Sequence, residues 1–306
     1  MDFGRKFEAT NSLIFLKTIH FSNPILSKKL YKSPFFLNNQ AIFGMKKIYL
    51  FLNMLWFGSH VFAQKQEIIS SDFLPHADSV SIFSPKKYDV QKKYPLLVML
   101  HGWSGNSLQW SEITDLQAYA DSYGFVIVCP DGLFDSWYLD SPINKKLQYQ
   151  QFVIKDLLPF VEKKYSLDKK NYFITGLSMG GYGALSIYLK NLDIFKSAGS
   201  TSGAVDLRPY HKRFGLEKVL GEYDEKKYLD YSILGQIQLL KNSQKNFIFD
   251  CGSADVFHKN NVELSRFCVE NQIKATFISQ TGKHDKAYWK KAIKAHFDFF
   301  QKQVSN

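Results

Sequence analysis

From residue 64 onward, short and nearly continuous apolar runs alternate with longer segments whose apolar residues recur at helical spacing. The short runs at 79–83, 95–100, 125–129, 171–175, 196–200, 246–249 and 275–279 predict strands. Helical spacing predicts helices near 113–123 and over 147–165, 178–189, 260–271 and 286–304, with 205–241 mixed and mostly helical. Pro159 lies inside the second of these and predicts a kink or break there, because proline has no N–H to donate. A strand that is apolar at consecutive positions is buried on both faces. Strands that alternate with helices join as parallel neighbours through crossovers. The fold class is therefore α/β, with a mostly parallel central sheet and helices on both faces. In such sheets functional groups collect at the carboxyl ends of the strands. No repeat, low-complexity tract or Pro/Gly-rich linker divides 64–306, which reads as one domain.

The pattern before residue 64 is different. Met45-Lys46-Lys47 opens a basic start, residues 48–57 are mostly apolar, and Val61-Phe62-Ala63 ends on a small residue. This is the layout of a secretory signal peptide over 45–63, cleaved before Gln64. The apolar stretch is shorter than the ~20 residues of a spanning helix, and Asn53 and His60 argue further against an anchor. The expected location is secreted or periplasmic, with no stable membrane span after cleavage. Residues 1–44 precede the natural start of such a signal, so Met45 is expected to be the true start and 1–44 an over-extended reading frame.

Charge changes the picture less than its total implies. The formal net charge is +11, but residues 1–63 carry eight Lys and Arg against Asp2 and Glu8, which leaves +5 for the remainder. Lys pairs such as Lys86-Lys87 and Lys169-Lys170 are scattered, with no Arg-rich helix, so no nucleic-acid partner is expected. Cys129, Cys251 and Cys268 are odd in number and lack metal-ligand spacing; they read as buried thiols.

The chemistry is carried by Gly176-Leu177-Ser178-Met179-Gly180, between the strand at 171–175 and a helix-forming run. A serine on a sharp strand-to-helix turn needs small neighbours two residues away, and the helix that follows brings partial positive charge near a developing oxyanion. A nucleophile of this kind is followed in the chain by an acid and then a histidine. Among His76, His101, His211, His258 and His284, only the last three follow Ser178, and His284 lies just after the final strand, on the side of the turn. Asp255, in the loop beyond the strand at 246–249, is preferred as the acid over Asp250 at the strand's end. Asp285 suits a helix N-terminus. Two backbone donors for an oxyanion are expected from Met179 and from Trp103, the latter in the loop His101-Gly102-Trp103-Ser104-Gly105. His101 precedes the serine and is expected to shape that loop.

With these residues in place, the chain resembles the esterase family that includes esterase D-like proteins, feruloyl, acetyl-xylan and tributyrin esterases, and mycolyltransferases. The resemblance rests on 94–105, 128–132, Ser136-Trp137-Tyr138-Leu139-Asp140, 175–185, 202–206, 250–255 and 284–289. It implies the α/β-hydrolase fold, a Ser178–His284–Asp255 triad, Trp103 and Met179 as oxyanion donors, and no metal or cofactor. It also implies that Trp137, Tyr138 and Asp140 line the substrate cleft. The expected activity is ester hydrolysis through an acyl-enzyme, on small-molecule or polysaccharide-linked esters, with short-acyl or feruloyl esters of carbohydrates foremost. S-formylglutathione hydrolysis and mycolyl-type transfer are the alternatives among enzymes. A non-catalytic carbohydrate-binding protein is the alternative of another class.

Overall fold

In a pleated strand alternate side chains face opposite sides, and here each side meets its own apolar layer. Within β3 (Tyr94–Leu100), Leu96, Val98 and Leu100 join one buried cluster, while Leu97 and Met99 join another. In β4 (Val126–Pro130), Val126 and Val128 divide from Ile127 and Cys129 in the same way. The sheet is thus covered on both faces in this computed structural model, which describes residues 64–304.

The other strands are β1 (Gln64–Ile69), β2 (Asp78–Phe83), β5 (Leu167–Gly176), β6 (Ser197–Thr201), β7 (Asn246–Gly252) and β8 (Ala275–Gln280). They form one eight-stranded sheet in the order β1-β2-β4-β3-β5-β6-β7-β8. β2 runs antiparallel to both β1 and β4, and every other pair is parallel. The order reverses around β3, so the loops after β3 and β5 open side by side at the carboxyl edge.

The helices are α1 (Gln109–Ile113), α2 (Leu116–Tyr123), α3 (Tyr149–Phe152), α4 (Leu158–Lys164), α5 (Met179–Lys190), α6 (Leu216–Leu220), α7 (Glu225–Tyr231), α8 (Ile233–Gln236), α9 (His258–Glu270) and α10 (Lys286–Gln301). Buried residues of α1, α2 and α10 join the cluster of Leu97 and Met99; those of α3 to α9 join the other.

Three departures from the expected elements have local causes. The helix near 113–123 begins only at Leu116, because the Asp115 side chain accepts from Ala118 N–H at 3.0 Å and caps its start, and the short α1 before it was not expected. The helix over 147–165 neither stops nor simply bends at Pro159. A π turn over Val153–Leu157 joins α3 to α4, and Pro159 falls in the first turn of α4, where its missing N–H does least harm. Strand β1 was not foreseen: its sequence, QKQEII, begins polar, and it pairs with β2 at the sheet edge.

The expected signal peptide at 45–63 and the expected over-extension at 1–44 lie outside the described residues. Among the described residues no helix is long and apolar enough to cross a membrane.

Helix α10 is held by Phe297, which is fully buried with its ring centroid 4.4 Å from Tyr119 and 5.2 Å from Tyr123. Phe297→Ala removes a ring that rigid neighbours cannot replace. It should lower stability by about 3–5 kcal/mol, measured as a fall in the urea midpoint.

Candidate active site

Strand β5 ends at Gly176, and α5 begins at Met179, leaving Ser178 on the turn with φ 55° and ψ −118°. This is left-handed territory, and both flanking glycines are required by space. A Cβ on Gly176 would overlap the Gly180 carbonyl, and one on Gly180 would overlap the carbonyls of Leu100 and His101. The turn is pinned from both sides: Leu177 N–H donates to Leu100 O at 3.2 Å and Ser178 N–H to Thr201 O at 2.9 Å.

Two other carboxyl-edge loops bring groups to Ser178. After β7, Asp255 lies in a turn in which its N–H donates to Gly252 O at 3.0 Å. After β8, the loop carrying His284 is stitched to that turn by Ala254 N–H donating to Gly282 O at 2.9 Å. His284 Nδ1 lies 2.9 Å from Asp255 Oδ2, and His284 Nε2 lies 2.9 Å from Ser178 Oγ. The imidazole is clamped edge-on between Phe257 and Trp289, each 5.1 Å away between ring centroids. The Asp255 side chain has no exposure, whereas that of His284 is 27% exposed. Burial alone would raise the Asp255 carboxyl; the hydrogen bond and charge of His284 and the N–H of Phe257 outweigh it, holding it below the ordinary carboxylate range. A buried anion on one imidazole nitrogen leaves the other as a base toward Ser178.

Above the serine, the loop after β3 presents Trp103. Consecutive residues of α1 clamp this loop: Gln109 Oε1 accepts from Gly102 N–H at 2.8 Å, and Trp110 Nε1–H donates to Leu100 O at 2.9 Å. Gly102 is pressed against the turn, where a Cβ would stand 2.7 Å from Leu177 Cδ1. Among the described residues, the N–H groups of Trp103 and Met179 meet no protein acceptor. The cleft holds about 190 Å³, and its walls include Trp103, Trp137, Phe214, Val256, Phe257 and Trp289. Such an arrangement has the parts for nucleophilic attack on a carbonyl: a serine hydroxyl on a base, and two N–H groups left for an oxyanion.

The structure thus brings Ser178, His284, Asp255, Trp103 and Met179 together, but it divides the segment expected to bind substrate. Trp137 lines the cleft and is tied by Nε1–H to Phe214 O at 2.9 Å. Tyr138 does not line it. Its ring is fully buried behind the loop after β3, with its hydroxyl donating to His101 O at 3.0 Å. Asp140 does not line it either, and accepts instead from the N–H groups of Gln150 and Gln151 at 2.9 and 3.1 Å. Both residues serve the scaffold, which corrects the expectation for them.

The remaining candidates lie elsewhere. Asp285 caps α10 by accepting from Tyr288 N–H at 2.8 Å. His258 contacts Ser279 Oγ at 2.8 Å, and His211 contacts Arg208 O at 3.0 Å. Asp250 is paired with His296, a residue the sequence reading passes over. Gln109 and Phe214 were also missed; neither belongs to a motif, and only the fold brings them to the cleft.

Comparisons with known proteins find esterases and a related hydrolase. The family model described as "Putative esterase" matches residues 71–300. The acetyl esterase of Caldicellulosiruptor saccharolyticus is 27% identical over 225 residues, 67% of this chain and 83% of that protein. The S-formylglutathione hydrolase of Arabidopsis thaliana is 25% identical over 219 residues, 64% of this chain and 76% of that protein. Among solved structures, the Staphylococcus aureus fluorophosphonate-binding serine hydrolase FphF aligns with a TM-score of 0.69 at 21% identity, covering 78% of this chain and 98% of that one. A ferulic acid esterase aligns with a TM-score of 0.68 at 24% identity over the same shares. The structural likenesses show the α/β-hydrolase fold. The chain belongs to the esterase family of the matched model.

The loop histidine gives the site a measurable pH dependence. His101 is buried, with Nδ1 2.7 Å from Gly102 O and Nε2 unpartnered among the described residues. Burial lowers its pKa to about 4 from an ordinary 6.5, against the pull of the Gly102 carbonyl and the Asp131 charge. The unfolded chain therefore takes up this proton at higher pH than the folded one. The stability that neutral His101 protects is complete above pH 6.5 and is lost as the pH falls toward 4, by about 3 kcal/mol in all. Asp78, pushed up to about 6 by burial, has the opposite sign. The His101 part should therefore appear as a shallower acid slope in His101→Gln than in the wild type, read from urea unfolding at pH 7, 5.5 and 4.5.

Proposed function

We propose that the protein is a secreted serine carboxylic-ester hydrolase whose Ser178, His284 and Asp255 form a triad working through an acyl-enzyme. The observation that carries this reading is the unbroken hydrogen-bonded path from Asp255 through His284 to Ser178, at the floor of an apolar cleft.

In the first half-reaction, His284 Nε2 takes the hydroxyl proton as Ser178 Oγ attacks the ester carbonyl. Asp255 keeps the other imidazole proton on Nδ1 and stabilises the charge that forms on the ring. The carbonyl oxygen becomes an oxyanion, to which the N–H groups of Trp103 and Met179 donate. The imidazolium then returns its proton to the departing alcohol, leaving Ser178 acylated. In the second half, water loses a proton to His284 as it attacks the acyl carbon, and the imidazolium returns that proton to Ser178 Oγ as the acyl–Oγ bond breaks and the acid departs.

The proposed substrates are short-acyl or feruloyl esters of carbohydrates. A small cleft walled by Trp, Phe and Val supports a short acyl chain or a flat aryl group, and relatives named acetyl esterase and ferulic acid esterase support the same choice. Export is proposed from the basic, apolar and small-residue succession of 45–63, with Met45 as the start and Gln64 as the first mature residue.

The test is turnover of p-nitrophenyl acetate, methyl ferulate and S-formylglutathione by wild type and single variants. Ser178→Ala and His284→Ala should each lower kcat by about 10⁶, and Asp255→Asn by about 10⁴. Equal activity of wild type and Ser178→Ala would sink the triad. Preference for S-formylglutathione over both oxygen esters would overturn the substrate assignment. N-terminal sequencing of the exported protein should begin at Gln64, and a mature product with residues before Met45 would refute the proposed start.

A further inference from the structure

One face of the sheet is covered by α10, and the pleat aims Phe173, Thr175 and Leu177, then Gly199 and Thr201, then Ile248 and Asp250, toward it. Thr175, Thr201 and Asp250 stand out as polar side chains in an apolar layer, and all three are buried. Helix α10 meets them with His296, which has no exposure. His296 Nε2 lies 2.7 Å from Asp250 Oδ2, and Nδ1 lies 2.7 Å from Thr175 Oγ1. The Thr201 hydroxyl donates to the same Asp250 oxygen at 2.9 Å. With Nε2–H donating to the carboxylate, Nδ1 is left to accept the Thr175 hydroxyl proton. A Cβ on Gly199 would overlap His296 Nδ1, so the bare glycine makes room for the ring.

These contacts bridge strands that are not neighbours. Thr175 is on β5, three residues before Ser178; Asp250 is on β7, five residues before Asp255; β6 lies between them. Backbone ladders connect β5 to β6 and β6 to β7, but a His296 link spans both steps at once. An apolar layer would fill the same space without fixing the strands along their axes, whereas hydrogen bonds are directional. A buried Asp–His pair is also no better for stability than apolar residues of its size, which points to geometry as its use.

We infer that Thr175, His296 and Asp250 form a positioning tie that sets the offset between the strand of the nucleophile and the strand of the acid. The inference rests on the triad reading of Ser178, His284 and Asp255. None of the three residues touches the cleft; they act through the ends of β5 and β7.

The experiment compares Thr175→Val, which is nearly isosteric and removes only the hydroxyl, with Thr175→Ser, which keeps it. Turnover of p-nitrophenyl acetate is counted per serine titrated by a fluorophosphonate, so that loss of folded protein does not register. Thr175→Val should lower kcat about tenfold to a hundredfold with KM within about twofold, and Thr175→Ser should recover most of that loss. Wild-type kcat per titrated serine in Thr175→Val, or equal impairment in Thr175→Ser, would overturn the tie. Should Thr175→Val fail to fold, His296→Leu and His296→Gln take the place of the pair, since Gln offers a donor to Asp250 and an acceptor to Thr175. If the wild type shows no turnover that depends on Ser178, the triad reading falls instead. The tie is then judged by the low-field N–H proton resonance of His284, which must shift in Thr175→Val and, if it stays put, refutes the tie.

Discussion

The backbone of Ser178 is the constraint to which the rest of the structure answers. A serine at positive φ carries strain of about 1–3 kcal/mol, and it persists only where its surroundings leave no alternative. Here β3 and β6 each bind the turn through one backbone hydrogen bond, while α5 begins immediately after it. Gly176 and Gly180 let the strand, the helix and the β3 loop pack within contact of one another. The same strain that would favour relaxing the turn lifts the hydroxyl clear of the sheet edge and leaves the Met179 N–H free. Steric exclusion and chemical exposure are one arrangement.

From that point the electrostatics follow from depth. Asp255 is buried and His284 is about a quarter exposed, so the carboxylate keeps its charge through its hydrogen bonds and the neighbouring imidazole, and those bonds orient the ring. The clamp of Phe257 and Trp289 on the ring does for rotation what Asp255 does for tautomer. Stitching between the β7 and β8 loops then carries any shift of one partner to the other. The site consequently has a hydrogen-bonded floor, with the Trp103 and Met179 N–H groups left open beside it, and apolar walls.

Much of this was legible in the sequence because the relevant signals are local. A strand buried on both faces reads as a nearly continuous apolar run, as β3 does; β1, at an edge, begins polar and gave no signal. The glycine spacing around Ser178 is a local steric demand, so it appears as a motif. Order along the chain and position after a strand led to His284 and Asp255. The segment around Trp137 misled for a physical reason. Trp137 and Tyr138 both have φ of 53°, so the loop coils, and neighbours in sequence point to different places, one into the cleft and the other behind it. His296 sits on the buried face of an amphipathic helix, where period alone reads as core. Its meaning comes only from the strands it touches. Gln109 and Phe214 reach the cleft through contacts far apart in sequence, which no motif encodes.

The division between floor and walls bears on how such a site tells substrates apart. Its walls come from separate loops after β3, β4, β6 and β7 and from α10, and the bond from Trp137 Nε1–H to Phe214 O joins two of them. Phe257 and Trp289 line the cleft and also clamp the His284 ring, so changes there reach the hydrogen-bonded path of Asp255, His284 and Ser178, whereas Trp137 and Phe214 are tied to each other. An apolar wall discriminates by shape, and a methylene more or less in such a pocket is worth only about 1–3 kcal/mol. Sharper selection requires a buried polar group that a wrong substrate leaves unpaired. The demands of chemistry thus fall on the turn at Ser178 and on the short loops that carry Asp255 and His284, and those of recognition on the apolar walls around them.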